Sequence, residues 1–445
     1  MLMLYPTGLA LVAHFLSASP VPVSDVPYVL PLRERAELHD RLLEERLDTL
    51  LPPLMRRAGV DAWVLFAREY NEDPVLETML PASWMSARRR TMLVFALSED
   101  GEEVERAAVA RYAVGDLFPS VWDPESQPDQ WARLAEWLSE RDPQRIAIDS
   151  SSTFALADGA SASELDALRA ALPPTLVERL VPADALCIGW LETRTESELE
   201  IYPSVAAIAH AILAEAFSAQ AVQPGVTTTA DLEWWLRERA ASLDLDVWFH
   251  PSVSVQRAAD PEHGGSFASD PGAEIIHRGD LVHVDFGIRY LDLCTDTQWH
   301  AYVLRPGESE APAGLVAGLK AANRVQELLN AEFATGRSGN AILAAARAAA
   351  IGEGLEPTIY THPLGLHGHG AGPTIGLWDQ QGGVPGRGDY PVYPSTGYSI
   401  ELNAAHRVPE WGDKRVLFML EEDAWFDGER VRWLDGRQTE FALIP

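Results

Sequence analysis

Residues Gly279 to Gln298 read GDLVHVDFGIRYLDLCTDTQ. Leu281, Val282, Val284 and Phe286 form a short, partly β-branched apolar run, the pattern of a buried strand. After Gly287, Ile288 to Leu293 reads as a second strand, so the two are expected to form a hairpin or lie closely side by side. Asp285 and Asp296 are set in this apolar surround, and a buried carboxylate is costly unless it is paired or coordinates a metal. Their spacing is odd, which would put them on opposite faces of one continuous strand. A turn between two strands can instead aim both at one point. Turn chemistry beside a glycine also accounts for an inward Asp, so this stretch alone leaves both readings open.

Working outward, Thr361 to Gly372 reads THPLGLHGHGAG and sets His362, His367 and His369 among glycines. Glycine lets backbone approach closely, and neutral imidazole is the commonest metal-ligand side chain. Further on, Glu401 in SIELN and Glu421 in MLEED each interrupt an alternating strand, where an acidic residue ordinarily faces solvent. Four carboxylates in apolar strands together with a His-Gly loop form a pattern that surface acids alone do not explain. Oxygen-rich sites with one imidazole suit Mn²⁺, with Zn²⁺ and Co²⁺ as alternatives. Four carboxylates balance two divalent ions charge for charge, whereas one ion would leave repulsion uncompensated. A two-metal site is the expectation.

Composition narrows the function classes. The chain has 445 residues, enough for two or three domains at roughly 150 residues each. Lys plus Arg number 35 against 66 Asp plus Glu, a net charge of −31 that repels nucleic acid and anionic lipid. No nucleic-acid partner and no membrane partner are expected. Cys187 and Cys294 stand far apart in dissimilar settings, against a disulfide scaffold or a cysteine zinc site; both read as buried structural thiols. Residues 2–17 resemble the apolar part of a signal peptide, but the first basic residue is Arg33 and Pro6 and His14 interrupt the run. Cytoplasmic placement is therefore the simpler expectation, with export the alternative. No other stretch is read as approaching the ~18 apolar residues of a membrane span, so a soluble protein is expected.

In chain order, residues 1–30 read as a leader or poorly ordered segment. Residues 32–58 carry a helical stripe of Leu42, Leu43, Leu47 and Leu50, expected to break at Pro52-Pro53. Strands are expected at 61–67, 91–97, 105–112, 145–149 and 176–180, and helices at 131–139 and 163–171. This alternation implies an α/β domain with a mixed sheet over residues 31–190. A charged joint at 192–200 opens a long helix, 197–220. A second helix follows at 229–243, with Trp234 and Trp235 expected in the core or at a domain seam. Helices are also expected at 312–334 and 338–352. The remainder reads as β-rich, with strands at 398–403, 415–426 and 431–434. The overall class is α+β, with a second domain over 191–445.

The order Asp285, Asp296, His362, Glu401, Glu421 resembles the pita-bread metallopeptidase family: aminopeptidase P, prolidase and methionine aminopeptidase. Asp285 in the D-F-G motif and Asp296 eleven residues on match its two aspartates. His362, with Gly365 and His369 beyond it, fits the spacing around the family's ligand histidine. His369 also has a glycine three residues on, but Gly376 stands where the second histidine would then fall, so His362 is preferred as ligand. Glu401 matches the strand glutamate, and Glu421 in L-E-E-D matches the family's I-E-D-D. The likeness covers about 195–445. The N-terminal part looks like the creatinase-type α/β domain that precedes it in aminopeptidase P and prolidase. There are departures: Leu402-Asn403 replaces the family's Pro-Gly, and Met419 stands where an Arg often lies.

The resemblance implies two divalent ions, Mn first, held by these five residues. Asp296 and Glu421 would bridge, Asp285 would hold one ion, and His362 with Glu401 the other. It also implies Glu401 as proton shuttle, and His369 and His263 as substrate-binding catalytic histidines. The implied substrates are short, proline-containing peptides, and the assembly a homodimer. The implied activity is Xaa-Pro aminopeptidase, with Xaa-Pro dipeptidase (prolidase) or carboxypeptidase-like release as alternatives. A creatinase-like C–N hydrolase without metal and a non-enzymatic binding module are further alternatives. Both relatives shed ligands that this chain retains.

Overall fold

The computed structural model describes residues 26–260 and 273–445; the signal-like run 2–17 and His263 lie outside the described residues. In the N-terminal half a five-stranded sheet runs in the order Val104–Val109, Arg90–Leu97, Ala62–Arg68, Ile146–Ile148, Leu180–Pro182. The first three strands are antiparallel and the last three parallel, as a mixed sheet requires. Ala62–Arg68 is buried on both faces because helices cover both. Trp63, Leu65 and Ala67 pack with Leu51, Leu54 and Leu186, while Ala62, Val64 and Phe66 pack with Leu134, Trp137 and Leu168. A strand covered twice reads as a continuous apolar run.

Pro52-Pro53 does not interrupt the first helix. Leu32–Glu45 passes through a wider π-turn, Arg46–Leu50, into Leu51–Ala58, where the prolines occupy the first turn. Prolines are tolerated there because the first N–H groups of a helix have no intrahelical partner. The strand expected at 176–180 is also displaced: Pro174–Val177 is a helical turn, and the strand follows at Leu180–Pro182. Helix Asp184–Glu192 was not anticipated. It is buried nearly all round and so presents no amphipathic stripe.

The C-terminal half is a curved set of strands between two helix pairs. Helices Glu196–Ala216 and Thr229–Ser242 close one side, and Ala313–Asn330 and Gly339–Gly352 the other. The first of these is capped reciprocally by Thr195 and Glu198. Contrary to expectation, this helix is long and apolar enough to cross a bilayer by length and composition. Its apolar face is core here, and its His210 bonds Glu422 at 3.1 Å and Asp435 at 2.9 Å. In the charged joint before it, Glu192, Arg194 and Glu198 are buried, with Arg46 and Arg194 both paired to Glu198. Trp234 is 55% exposed rather than core, standing beside His250. Cys187 and Cys294 are buried free thiols.

The opening stretch folds differently from a simple hairpin. Leu281–Phe286 pairs antiparallel not with residues 288–293 but with Thr297–Val303, so that Asp285 faces Gln298. Ile288–Tyr290 and Leu293–Cys294 form their own small hairpin, turned on Leu291 and Asp292 at φ 55° and 58°. Two successive positive φ values are those of the tight turn whose twist matches a two-residue hairpin. This excursion carries the chain out after Asp285 and returns it at Asp296.

The strands expected at 398–403 and 415–426 are each two strands. Thr396–Ser399 and Asp423–Phe426 belong to one sheet, while Leu402–Val408 and Lys414–Leu420 belong to another. Glu401 and Glu421 sit at the crossings.

Candidate metal centre

The two crossings and the return of the hairpin meet at one place. Asp285 ends the central strand Leu281–Phe286, Asp296 precedes Thr297–Val303, and His362 begins His362–Leu364. Gln298 and Glu421 exchange backbone hydrogen bonds, which join the Asp296 segment to the second crossing. Ile400 N–H donates to the Glu422 carbonyl, and Tyr360 N–H donates to that of Glu401. All five residues are thereby brought together by backbone pairing.

The side chains converge accordingly. His362 Nε2 lies 3.3 Å from Glu421 Oε1, 3.6 Å from Asp296 Oδ2 and 3.9 Å from Glu401 Oε2. The trio Asp285, Asp296 and Glu421 and the trio His362, Glu401 and Glu421 each present one ligand atom per residue within 4.8 Å of one another. Glu421 is common to both. A third trio, Asp296, His362 and His369, meets the same distance, so His369 stands at the edge of the cluster. His362 Nδ1–H donates to the Pro363 carbonyl at 3.0 Å, which fixes the tautomer and leaves the Nε2 lone pair facing the carboxylates.

Three of these atoms, Asp285 Oδ1, Asp296 Oδ1 and His362 Nε2, are buried without a hydrogen-bond partner. Buried polar atoms in native proteins are almost always satisfied; three orphans facing one another fit a bound cation. The electrostatics agree. Burial first, then the neighbouring carboxylates, push Asp285, Asp296 and Glu401 well above the ordinary carboxyl range. Glu421 falls below its ordinary value despite burial, because the adjacent His362 imidazole and hydrogen bonds from Ser399 and Gln298 favour its charged form. The His362 imidazole is raised against its own burial by Glu421. Four carboxylates crowded together and out of water require positive charge, and the donor set fits divalent ions with a preference for oxygen.

A surrounding layer fixes these groups, and sequence reasoning passed over it. Gln298 Nε2–H donates to Glu401 Oε1 at 2.8 Å and to Glu421 Oε2 at 2.6 Å, while its Oε1 lies 3.0 Å from His283 Nε2. Burial lowers the His283 pKa to about 4, so the ring is neutral and donates to Gln298 at neutral pH. Ser399 Oγ–H donates to Glu421 Oε1 at 2.6 Å. Asp423 Oδ1 accepts from Asp296 N–H at 2.9 Å. His283, Gln298, Ser399 and Asp423 each lie two residues from one of the five. Strand side chains repeat on one face with period two, a relation that becomes readable only once the inward neighbour is known.

An aromatic wall adjoins the cluster. His369 packs edge-on against His362 at 4.6 Å between centroids and against Trp248 at 5.2 Å, and Tyr360 lies 5.7 Å from His362. Trp248 is held by its Nε1–H to the Thr295 carbonyl at 2.7 Å. A Cβ at Gly368 would lie 2.2 Å from the Trp248 ring, and one at Gly287 would lie 2.4 Å from its Nε1. Both glycines are therefore required by close approach.

Residues 200–415 match the family described as metallopeptidase family M24. No curated protein matches the chain at a significant level. Among solved structures, an X-Pro aminopeptidase from Thermotoga maritima is similar at TM-score 0.62 and 17% identity, covering 88% of this chain and 100% of its own. A Xaa-Pro dipeptidase from Bacillus anthracis is similar at TM-score 0.58 and 16% identity, covering 93% and 100%. A dipeptidase from Pyrococcus horikoshii is similar at TM-score 0.58 and 18% identity, covering 91% and 99%. These likenesses, at low identity, are likenesses of fold. The chain shares the two-domain pita-bread fold of aminopeptidase P and prolidase structures, and its residues 200–415 carry the match to metallopeptidase family M24.

Proposed function

We propose that the chain is a dinuclear metal-dependent exopeptidase that releases the N-terminal residue from short Xaa-Pro peptides. The observation that carries this reading is the trio of buried, partnerless ligand atoms inside a cluster of four carboxylates and one imidazole. Asp285, Asp296, His362, Glu401 and Glu421 are the proposed ligands, with Mn first and Zn or Co as alternatives. Glu421, common to two trios, suits a bridging position. Bound divalent ions supply a nucleophile at neutral pH and polarise the scissile carbonyl.

The remaining roles belong to the chain's own side chains. Glu401, raised by its surroundings, is placed to hold a proton between attack and departure of the leaving amine. His369, pushed down to about 4 by burial, is neutral and can donate an N–H to the substrate carbonyl as charge develops. His263 is proposed for the same substrate-binding role. Trp248 and Tyr360 offer an apolar wall for proline, whose tertiary amide has no N–H to satisfy. The proposed substrates are therefore short peptides with proline in second position.

A second reading, Xaa-Pro dipeptidase, is kept because solved structures of both kinds are similar to this chain. Turnover of Arg-Pro-Pro and of Gly-Pro with Mn²⁺ added separates the two. Release of arginine from Arg-Pro-Pro supports the aminopeptidase, and cleavage of Gly-Pro alone moves the assignment to the dipeptidase. An acetylated peptide trimmed only at its carboxyl end would overturn both. If Mn²⁺, Zn²⁺ and Co²⁺ all leave these substrates intact, the peptidase reading fails.

A further inference from the structure

We infer that the N-terminal domain carries a pocket for a small multivalent anion joined to a flat ring, the chemistry of a nucleotide. The cavity, about 500 Å³, lies where Ala62–Arg68 and Val104–Val109 end and Arg90–Leu97 begins. It is lined by Arg68, Arg88, Arg89, Arg90 and Arg111. A cavity of this size suits a drug-sized molecule.

Charge singles the cavity out. The chain as a whole carries −31, so an anion is repelled almost everywhere else on it. Glu164 takes Arg90 in a fork at 2.7 and 3.0 Å and approaches Arg68 at 3.4 Å. Among the described residues, no carboxylate pairs with the side chains of Arg88, Arg89 or Arg111. Three guanidinium groups thus share one concavity with a single carboxylate, Glu69, which accepts from the Arg89 backbone N–H at 3.4 Å rather than pairing with their side chains. Their fork geometry matches phosphate or carboxylate oxygens. The rest of the lining is Ala110, Gln130 and three aromatic side chains. Arg88 stacks on Trp84 at 4.6 Å, which leaves its N–H edge available to a ligand. Trp122 and Tyr112 complete the wall, and Tyr112 is 56% exposed. Gln130 Nε2–H ties the floor to the Arg90 and Val109 carbonyls at 3.1 and 2.7 Å. Arginine for the anion and aromatic faces for a ring are the two halves of nucleotide recognition.

The test is calorimetric titration of the full-length, metal-loaded protein with ADP, pyrophosphate and adenosine. Saturable ADP binding is expected, with pyrophosphate weaker and adenosine without measurable heat. The double variant Arg88→Ala/Arg111→Ala should weaken ADP by about tenfold or more. ADP held only by chelation at the metal centre would bind the double variant as well as wild type, and that result overturns the inference. Pyrophosphate binding as tightly as ADP would overturn the ring component, and absence of saturable ADP binding would overturn the whole. If the double variant melts early, the exposed single variant Arg111→Glu replaces it, with the same loss expected.

Discussion

At the scale of single residues, the centre depends on amide and hydroxyl donors as much as on its four clustered acids and one imidazole. Gln298 bonds both Glu401 and Glu421 and is itself oriented by neutral His283. Gln298→Leu removes both bonds with little change in volume. Loss of an outer partner of this kind typically costs 10–100-fold in metal affinity or activity. Metal titration and turnover should therefore fall together by about that factor, with the circular dichroism spectrum unchanged. Asp296→Asn and Glu421→Gln should abolish turnover. Because Asp296 is crowded by Glu421 and Asp285, the metal-free Asp296→Asn protein should melt no lower than metal-free wild type. A lower melting point would show that repulsion is not what the cation relieves. The residues carrying this chemistry were legible where type and spacing are distinctive, as at Asp285, Asp296 and His362. Gln298 and Ser399 were not, because glutamine and serine in strands signal nothing until a neighbour two residues away is known to turn inward.

At the scale of elements, the site is made by interruptions in otherwise regular strands. Neither SIELN nor MLEED contains glycine or proline, so the sequence offers no mark of the crossings at Glu401 and Glu421. They appear only when the chain passes from one sheet to the other. The hairpin 288–294 was misread for a similar reason. Leu291 and Asp292 take positive φ without glycine, leaving no turn residue to see. That hairpin is tied to the first helix by His39, whose Nε2 lies 2.7 Å from Asp292 Oδ2. Burial opposes both charges, but the pair overcomes it. Asp292 is held at about 2 against an ordinary 3.8, and His39 is raised above 6.5. The lowered Asp292 contributes stability above pH 3.8 that is lost as pH falls toward 2. The raised His39 contributes below pH 6.5, and that share is lost as pH climbs through its folded value. The melting-temperature difference between wild type and Asp292→Asn should be largest between these limits and shrink on both sides. Partial exposure of the pair, most of it at Asp292, keeps the difference modest. A difference flat across pH would contradict the pairing.

At the scale of the whole molecule, a mixed α/β sheet precedes a curved β layer that closes around the acidic cluster. The architecture was legible because the central strands Ala62–Arg68, Arg90–Leu97 and Ile146–Ile148 read as apolar runs and helices such as Gln130–Arg141 carry a stripe. Segments buried on every side, such as Asp184–Glu192, were not, since periodicity vanishes when no face meets water. A chain that crowds four carboxylates at its centre should gain stability from divalent cations in proportion to occupancy. At a hundredfold excess over Kd, one site contributes about 2.7 kcal/mol. Chelation should lower the melting temperature, and Mn²⁺ should restore it.

The most direct test is an anomalous-scattering map from crystals grown with excess Mn²⁺. Two peaks are predicted, one within coordinating reach of Asp285, Asp296 and Glu421, the other of His362, Glu401 and Glu421. A map with no peak among these five residues would contradict the account.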